Sequence, residues 1–262
     1  MLIDSHAHLT SSPLLGELDL LLERAEHANI EAIINVCTDA ASLEMGWQLA
    51  RREPWIYNAA AVHPHDAVQA SDGFFAQIAE AARSGSLIAI GETGLDYHYQ
   101  HAPRELQKLF FQRHLTLAIE SSLPTIIHCR EAFADLFSLL DAHYIIQGKH
   151  APAVVHCFTG NRDEAREVVQ RGLLLSFSGI ITFKKSEQLR EMAAELPLDS
   201  ILIETDSPYL APQSRRGATN EPAFIVDIAA ALAAVRGISL QTIAQATTAN
   251  ARRLFRLNST SG

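Results

Sequence analysis

The stretch Leu2-Ile3-Asp4-Ser5-His6-Ala7-His8-Leu9 opens on apolar residues and closes on a His-x-His pair. It reads as a short strand, Leu2 to His8. Side chains at i and i+2 of a strand share a face, so both imidazoles aim at one point. Two imidazoles turned into an apolar interior are costly without a partner. A metal ion is the partner that explains both.

Seven further runs of strand length follow: Ala32 to Cys37, Ile56 to Val62, Leu87 to Glu92, Thr125 to His128, Ala153 to Phe158, Leu173 to Gly179 and Ile201 to Asp206. Longer stretches with helical spacing and charged faces lie between them, among them Glu17 to Ala28, Phe74 to Ser84, Arg104 to Ser121 and Arg162 to Arg171. Strand alternating with helix eight times predicts an α/β fold, the (β/α)8 TIM barrel. Gly85, Pro124 and Gly172 punctuate helix exits ahead of strands. Two helices are expected after the last strand, Pro222 to Val235 and Ser239 to Leu254, with Ser239 as an N-cap. No repeat, low-complexity tract or linker interrupts the pattern, so a single domain over residues 1–262 is expected.

A length of 262 residues suits one such barrel. Cys37, Cys129 and Cys157 show no C-x-x-C spacing and fit a reducing compartment. No apolar run approaches the ~20 residues of a membrane span. Cleavage of a signal peptide of roughly 15–30 residues would discard the His-x-His pair. A cytoplasmic protein with no membrane association, no obligate protein partner and a monomeric state is therefore expected. The net charge of −9 argues against a broad basic surface that grips nucleic acid through phosphates alone. A local cationic site remains compatible with it.

In barrels of this kind the chemistry sits at the carboxyl ends of the strands. Glu92 closes the fourth predicted strand, His128 the fifth and Asp206 the eighth, and His156 stands near the end of the sixth. Strand alternation puts Ile88, Ile90 and Glu92 on one face, and Val154 with His156 likewise. Cys129 and Cys157 take the opposite parity and read as buried hydrophobes facing the surrounding helices. A lone histidine at a strand end is more often a hydrogen-bonded core residue than a ligand. Four histidines and two acids at one barrel end, His6, His8, Glu92, His128, His156 and Asp206, read instead as a centre for more than one metal. Ligand softness does not choose among Zn, Mn, Fe and Mg.

His63, in Val62-His63-Pro64-His65, ends the third strand. It reads as a residue that supports a ligand or touches substrate, in preference to a ligand itself. Asp4 and Glu204 share the parity of nearby ligands, and each either orients an imidazole or serves as a structural acid. Asp96 is a loop-capping acid or a partner of a ligand. His65, Asp66 and His98 read as solvated loop residues.

Taken together, Ile3-Asp4-Ser5-His6-Ala7-His8-Leu9, Val62-His63-Pro64, Gly91-Glu92-Thr93-Gly94-Leu95-Asp96-Tyr97, Ile127-His128-Cys129-Arg130, His156-Cys157-Phe158-Thr159-Gly160, Glu204-Thr205-Asp206-Ser207-Pro208-Tyr209 and Asn220-Glu221-Pro222 resemble the TatD-type deoxyribonucleases. Any one motif is weak, since His-x-His opens many amidohydrolases, but the ordered set spans nearly the whole chain and is specific. The resemblance implies a TIM-barrel, metal-dependent hydrolase of DNA phosphodiester bonds. The expected mode is a 3'–5' exonuclease on single-stranded or frayed ends. It implies two divalent ions (Zn, Mg or Mn): His6, His8 and Asp206 on one, His128 and His156 on the other, and Glu92 bridging. His63 and Glu204 carry over as supporting residues.

Two metals about 3.5–4 Å apart can activate water, neutralise phosphoryl oxygens and assist the leaving alkoxide. Asp206 is the expected proton acceptor for that water, with Glu92 beside it. Arg130 and Arg215, and also Arg216, Lys184 and Lys185, are basic residues of the same loops able to meet phosphate, or simply solvated at the surface. Tyr97, Tyr99, Phe158, Phe183 and Tyr209 are aromatic residues there able to stack on bases, or simply to pack the loops. The nearest rival is a binuclear amidohydrolase or phosphotriesterase acting on a small molecule. Many such barrels bridge their metals with a carboxylated lysine on the fourth strand. That run here has no lysine and offers Glu92 instead, which favours the nuclease. A barrel that binds metal or nucleic acid without turnover is the reading from another class, and the intact six-residue set argues against it.

Overall fold

The computed structural model describes residues 1–145 and 150–257, so the expected 1–262 span runs beyond the described residues. Eight strands lie side by side in chain order, all neighbours parallel: β1 (Leu2–Ala7), β2 (Ile30–Cys37), β3 (Ile56–Ala60), β4 (Ala89–Asp96), β5 (Thr125–Arg130), β6 (Ala153–Val155), β7 (Leu174–Phe177) and β8 (Ile201–Ile203). Helices alternate with them, as in Leu18–His27, Asp72–Arg83, Arg104–Ser121 and Arg162–Gln170. This is the TIM barrel expected from the pattern.

The seam between the last strand and the first is closed by side chains and loop backbone. Asp206 N–H donates to His6 O (2.9 Å) and His8 N–H to Ser207 O (2.7 Å). Below them, Ser5 Oγ donates to Ile203 O (2.9 Å), and the Asp4 carboxylate accepts from Thr205 N–H and Thr205 Oγ1. The seam is therefore laced most tightly where the His-x-His pair meets Asp206.

Two apolar layers hold the barrel. Ile3, Ile34, Ala59, Ala89, Ile126, Val154, Leu174 and Leu202 fill its interior. The opposite strand faces pack on the helices in a larger cluster. Helix Leu240–Phe255 sends Ala251, Leu254 and Phe255 into the inner layer. Its Asn250 amide donates to Leu198 O and Ile201 O, where β8 begins. That end of the barrel is thus plugged, and the carboxyl ends of the strands stay open. Ser239 caps this helix as expected, accepting from Thr242 N–H. The helix expected from Pro222 divides into a 3-10 turn, Pro222–Phe224, and an α-helix, Ile225–Arg236.

Several strand bounds differ from the expected ones, and the differences matter for the site. β6 stops at Val155 and β8 at Ile203, so His156, Glu204 and Asp206 follow strands instead of ending them. β4 starts later and runs on to Asp96. Pairing slips in β1 between Asp4 and Ala7, and in β4 between Ile90 and Thr93. Simple alternation fails across those slips. Ile90 packs on the outer cluster while Ala89 faces inward. Glu92 reaches the barrel mouth through the irregularity, and the expected sharing of one face with Ile88 and Ile90 does not hold.

Helix Arg104–Ser121 props these strand ends from outside. The Gln107 side chain accepts from Asp96 N–H and donates to Asp96 O. His114, fully buried, donates through Nδ1–H to Phe110 O (2.7 Å) and accepts at Nε2 from Val62 N–H (3.2 Å). That pattern needs a neutral ring, and burial lowers its pKa from 6.5 to about 4. A depressed histidine pKa contributes stability that is complete above pH 6.5 and is lost as pH falls towards 4. The loss amounts to about 3 kcal/mol. Denaturant unfolding of His114→Gln from pH 7 down to 4 should therefore show a flatter pH dependence than the parent. Parallel curves would refute this role.

Candidate metal centre

Four nitrogen and oxygen atoms from three separate elements converge at the open end. His6 Nε2 lies 3.2 Å from His8 Nε2, 3.3 Å from Glu92 Oε2 and 3.6 Å from Asp206 Oδ1. His8 Nε2 lies 3.6 Å from Glu92 Oε2 and 3.5 Å from Asp206 Oδ1. A tetrahedral ion with bonds of about 2.1 Å separates its ligand atoms by about 3.4 Å. These five distances bracket that edge. A second set gathers on the other carboxylate oxygen. Glu92 Oε1 lies 2.6 Å from His156 Nε2 and 2.8 Å from His128 Nδ1, and these two nitrogens are 3.3 Å apart.

Hydrogen bonds on the far side of each ring fix which nitrogen faces inward. His8 donates through Nδ1 to Val36 O (3.2 Å). His156 donates through Nδ1 to Glu204 Oε1 (3.2 Å). His128 donates through Nε2 to Asp96 Oδ2 (3.0 Å). A neutral imidazole that donates outward presents a bare lone pair inward, the state a metal requires. His6 differs, since its buried Nδ1 has no partner among the described residues. Lone pairs converging on one another with no donor between them fit a cation, and the mixed imidazole and carboxylate set suits a divalent one.

Electrostatics point the same way. Burial disfavours a charged Glu92, yet His156, His63 and His6 around it hold its carboxyl well below the usual range. Burial likewise opposes charge on Asp206, yet the imidazoles of His8 and His6 beside it hold its carboxyl below the usual range. Two anionic carboxylates in a buried mouth call for positive charge between them.

His63, the supporting residue of the third strand, accepts at Nδ1 from His65 N–H (3.1 Å) and sets Nε2 3.4 Å from Glu92 Oε1. A neutral ring in that state carries its proton on Nε2. It therefore donates to Glu92 and offers no lone pair there. Glu204 also accepts from Cys157 N–H (2.6 Å), so it ties the turn after β6 to the ring it orients. Of the two roles expected of Asp4, the structural acid is the one it plays, since its hydrogen bonds reach no imidazole ring. Its carboxylate holds Thr205 across the seam and His6 N–H within its own strand, and burial raises its pKa to about 7.

Other expectations are corrected. His65 is no solvated loop residue: its Nε2 is 2.8 Å from the same Asp96 oxygen that holds His128. Asp96 plays both parts offered for it, capping the loop at His98 N–H and Tyr99 N–H and anchoring His128. Cys157 does not face the helices. With φ at +43° it lines the mouth beside Ser178, and burial pushes its thiol pKa up. Cys129 is buried, packed in the outer cluster and also edging the mouth. Arg215 turns away from the mouth to Asp227 (3.3 Å) and the Phe224 ring. Phe158 is core, and Tyr97 donates to Asp135.

Two supports lie outside the strand ends or carry no side chain. Asn220 donates to Thr205 O (2.8 Å) and Tyr209 O (2.6 Å), bracketing Asp206. Its neighbour Glu221 is held by a bidentate bond from Arg24. Gly94 lets β4 lie against His128, whose carbonyl oxygen would stand 2.0 Å from any Cβ there.

The mouth is a cavity of about 1160 Å³. Tyr99 and Tyr209 stand on its wall, 43% and 56% exposed. Arg130 stacks on the Tyr99 ring (4.9 Å) and is the one lysine or arginine among the described lining residues. Its neighbour Glu131 is drawn away to His98 (2.7 Å).

Comparison with known proteins adds a family and a set of relatives. Residues 3–256 match the family model described as TatD related DNase. An uncharacterized metal-dependent hydrolase of Bacillus subtilis, YabD, is 38% identical over 98% of this chain and all of its own. The 3'-5' ssDNA/RNA exonuclease TatD of Erwinia tasmaniensis is 35% identical over 98% of this chain and all of its own. Among solved structures, the TatD homologue YJJV of Escherichia coli K12 superposes with a TM-score of 0.91 at 31% identity, covering 98% of each chain.

Proposed function

The chain belongs to the TatD-related DNase family of metal-dependent hydrolases, and from that premise we propose that it is a binuclear nuclease removing nucleotides from the 3' end of single-stranded DNA. The observation that carries the metal count is the division of Glu92, one oxygen per donor set. His6, His8 and Asp206 would hold one divalent ion (Zn, Mg or Mn), and His128 and His156 the other. Bound there, such ions supply positive charge for a phosphoryl group and lower the pKa of water towards ~7.

The chain's own residues do the rest. Asp206, anionic and 13% exposed at its side chain, accepts the proton of the attacking water. His63, proton on Nε2, keeps Glu92 in place. Arg130, without a carboxylate partner among the described residues, takes a phosphoryl oxygen, and Tyr99 and Tyr209 offer faces for bases. The relatives at 38% and 35% carry no common substrate in their names. The cation in an otherwise acidic mouth is what favours a phosphodiester over an amide.

The test uses metal-loaded protein on a 5'-labelled single strand, beside a small diester and a small lactone. A ladder shortening stepwise from the 3' end is expected. Hydrolysis of the small ester with both DNA and RNA left intact would overturn the proposal in favour of the small-molecule rival. Arg130→Met should raise the KM for the strand about tenfold or more, since a charge-assisted bond to phosphate is worth about 1.5–3 kcal/mol. An unchanged KM would remove Arg130 from the binding set.

A further inference from the structure

Charge is distributed unevenly around the mouth. Asp39, Asp66, Glu131 and Glu164 line it on the sides of β2, β3, β5 and β6. Glu131 is paired with His98 beside Arg130, so the β5 side is mixed, whereas a polyanion leaving across the other three meets like charge. The loops after β7 and β8 differ. Lys184, Lys185 and Arg216 are exposed there, and none is paired with a carboxylate among the described residues.

These three cations sit on a platform joined to the site by continuous contacts. Tyr209 N–H donates to Asp206 O, one turn on from the candidate proton acceptor. The next residue, Leu210, lies against Gly179, where a Cβ would come within 1.9 Å of the Leu210 carbonyl oxygen. Gln213 N–H donates to Thr182 Oγ1 (2.7 Å), fastening the two loops together. Arg190 then clamps the carbonyls of Ile181 (3.1 Å) and Phe183 (2.6 Å), which fixes the backbone leading into Lys184. The Arg216 guanidinium lies 4.6 Å over the Phe183 ring. Ile180, Tyr209 and Leu210 line the mouth on this side, so the platform begins where the cavity ends.

We propose that the strand leading away from the scissile phosphate crosses the β7–β8 loops, with its phosphates on Lys184, Lys185 and Arg216. The inference rests on the nuclease reading and adds a direction to it. A chain of net charge −9 needs such a track, because its overall field repels nucleic acid. One narrow cationic side fits a single strand, and the acidic sides turn away the second strand of a duplex.

Three phosphate contacts on a single strand give a salt dependence of about −2 in log K against log salt. The double variant K184E/K185E should flatten that slope by about 1.4 and raise the KM for an oligonucleotide of about a dozen residues roughly tenfold. Its kcat, and its KM for a dinucleotide too short to reach the platform, should match the parent. K184Q/K185Q should show the same trend at smaller size. An unchanged slope and KM in a parent that does cleave oligonucleotides would overturn the track alone. A parent that cleaves neither DNA nor RNA would overturn the nuclease reading itself. Equal losses on dinucleotide and oligonucleotide would also overturn the track, since they would place the lysines' effect in the mouth.

Discussion

Glu92→Gln is expected to release metal from both donor sets and to lower hydrolysis by a factor of about 10³ or more. The side chain keeps its shape, so packing is not the variable. The carboxylate places Oε2 beside His6 and His8 and Oε1 beside His156 and His128. An amide has one oxygen for two sets, and its NH2 would donate to bare imidazole nitrogens on the other side. One negative charge also leaves a centre whose cations it would balance. Metal content per chain, measured by emission spectroscopy after gel filtration, should fall from two towards zero, with the circular dichroism spectrum unchanged. Two ions retained, with activity within tenfold of the parent, would show that Glu92 does not bridge. Loss of one ion alone would assign it to a single set.

The barrel was legible because its signals are local and repeated. Eight apolar runs separated by helical stretches need no long-range information, and the bounds of Arg104–Ser121 and the Ser239 cap follow from composition alone. Which residues meet was legible too, since all six candidate ligands stand in the carboxyl-end stretches of strands or just past them, and a barrel brings those ends together. The reason they face inward was not. Alternation, applied from Ile88 to Glu92 and from Asp4 to His8, ignores the slips in β1 and β4. A pairing slip depends on the neighbouring strand and leaves no mark on the run that carries it. Asp206 likewise lies beyond its strand with φ at +57°, where strand parity says nothing.

The supports were harder to read than the ligands. Asp96 joins His65 to His128, and Asn220 brackets Asp206, through contacts between residues 31, 32 and up to 15 positions apart in the chain. A hydrogen bond of that kind needs only one correctly placed polar atom, so it produces no periodicity. Glu204 was reached by parity with Asp206, although its actual partners are His156 and Cys157 N–H. Arg215 shows the converse error. Its place in a top-face loop is real, but Asp227 and Phe224 absorb its guanidinium.

Asp206→Asn separates metal binding from proton transfer, and its expected result is a loss of about 10²–10⁴ in kcat that added metal does not restore. Asparagine tolerates the left-handed backbone at this position. It also keeps the bonds from Asp206 N–H to His6 O and from Tyr209 N–H to residue 206 that close the barrel seam. The amide oxygen can still approach His6 and His8, where the carboxylate oxygen stands 3.6 and 3.5 Å away, so an ion in that set is weakened but not excluded. The amide cannot accept a proton. If Asp206 serves only as a ligand, titrating the variant with metal should return kcat to the parent value once the set is filled. If it takes the proton of the attacking water, kcat stays low at saturating metal while metal content reaches that of the parent. Adding a small external base should then recover part of the rate, because the missing group is a proton acceptor in a mouth wide enough to admit one.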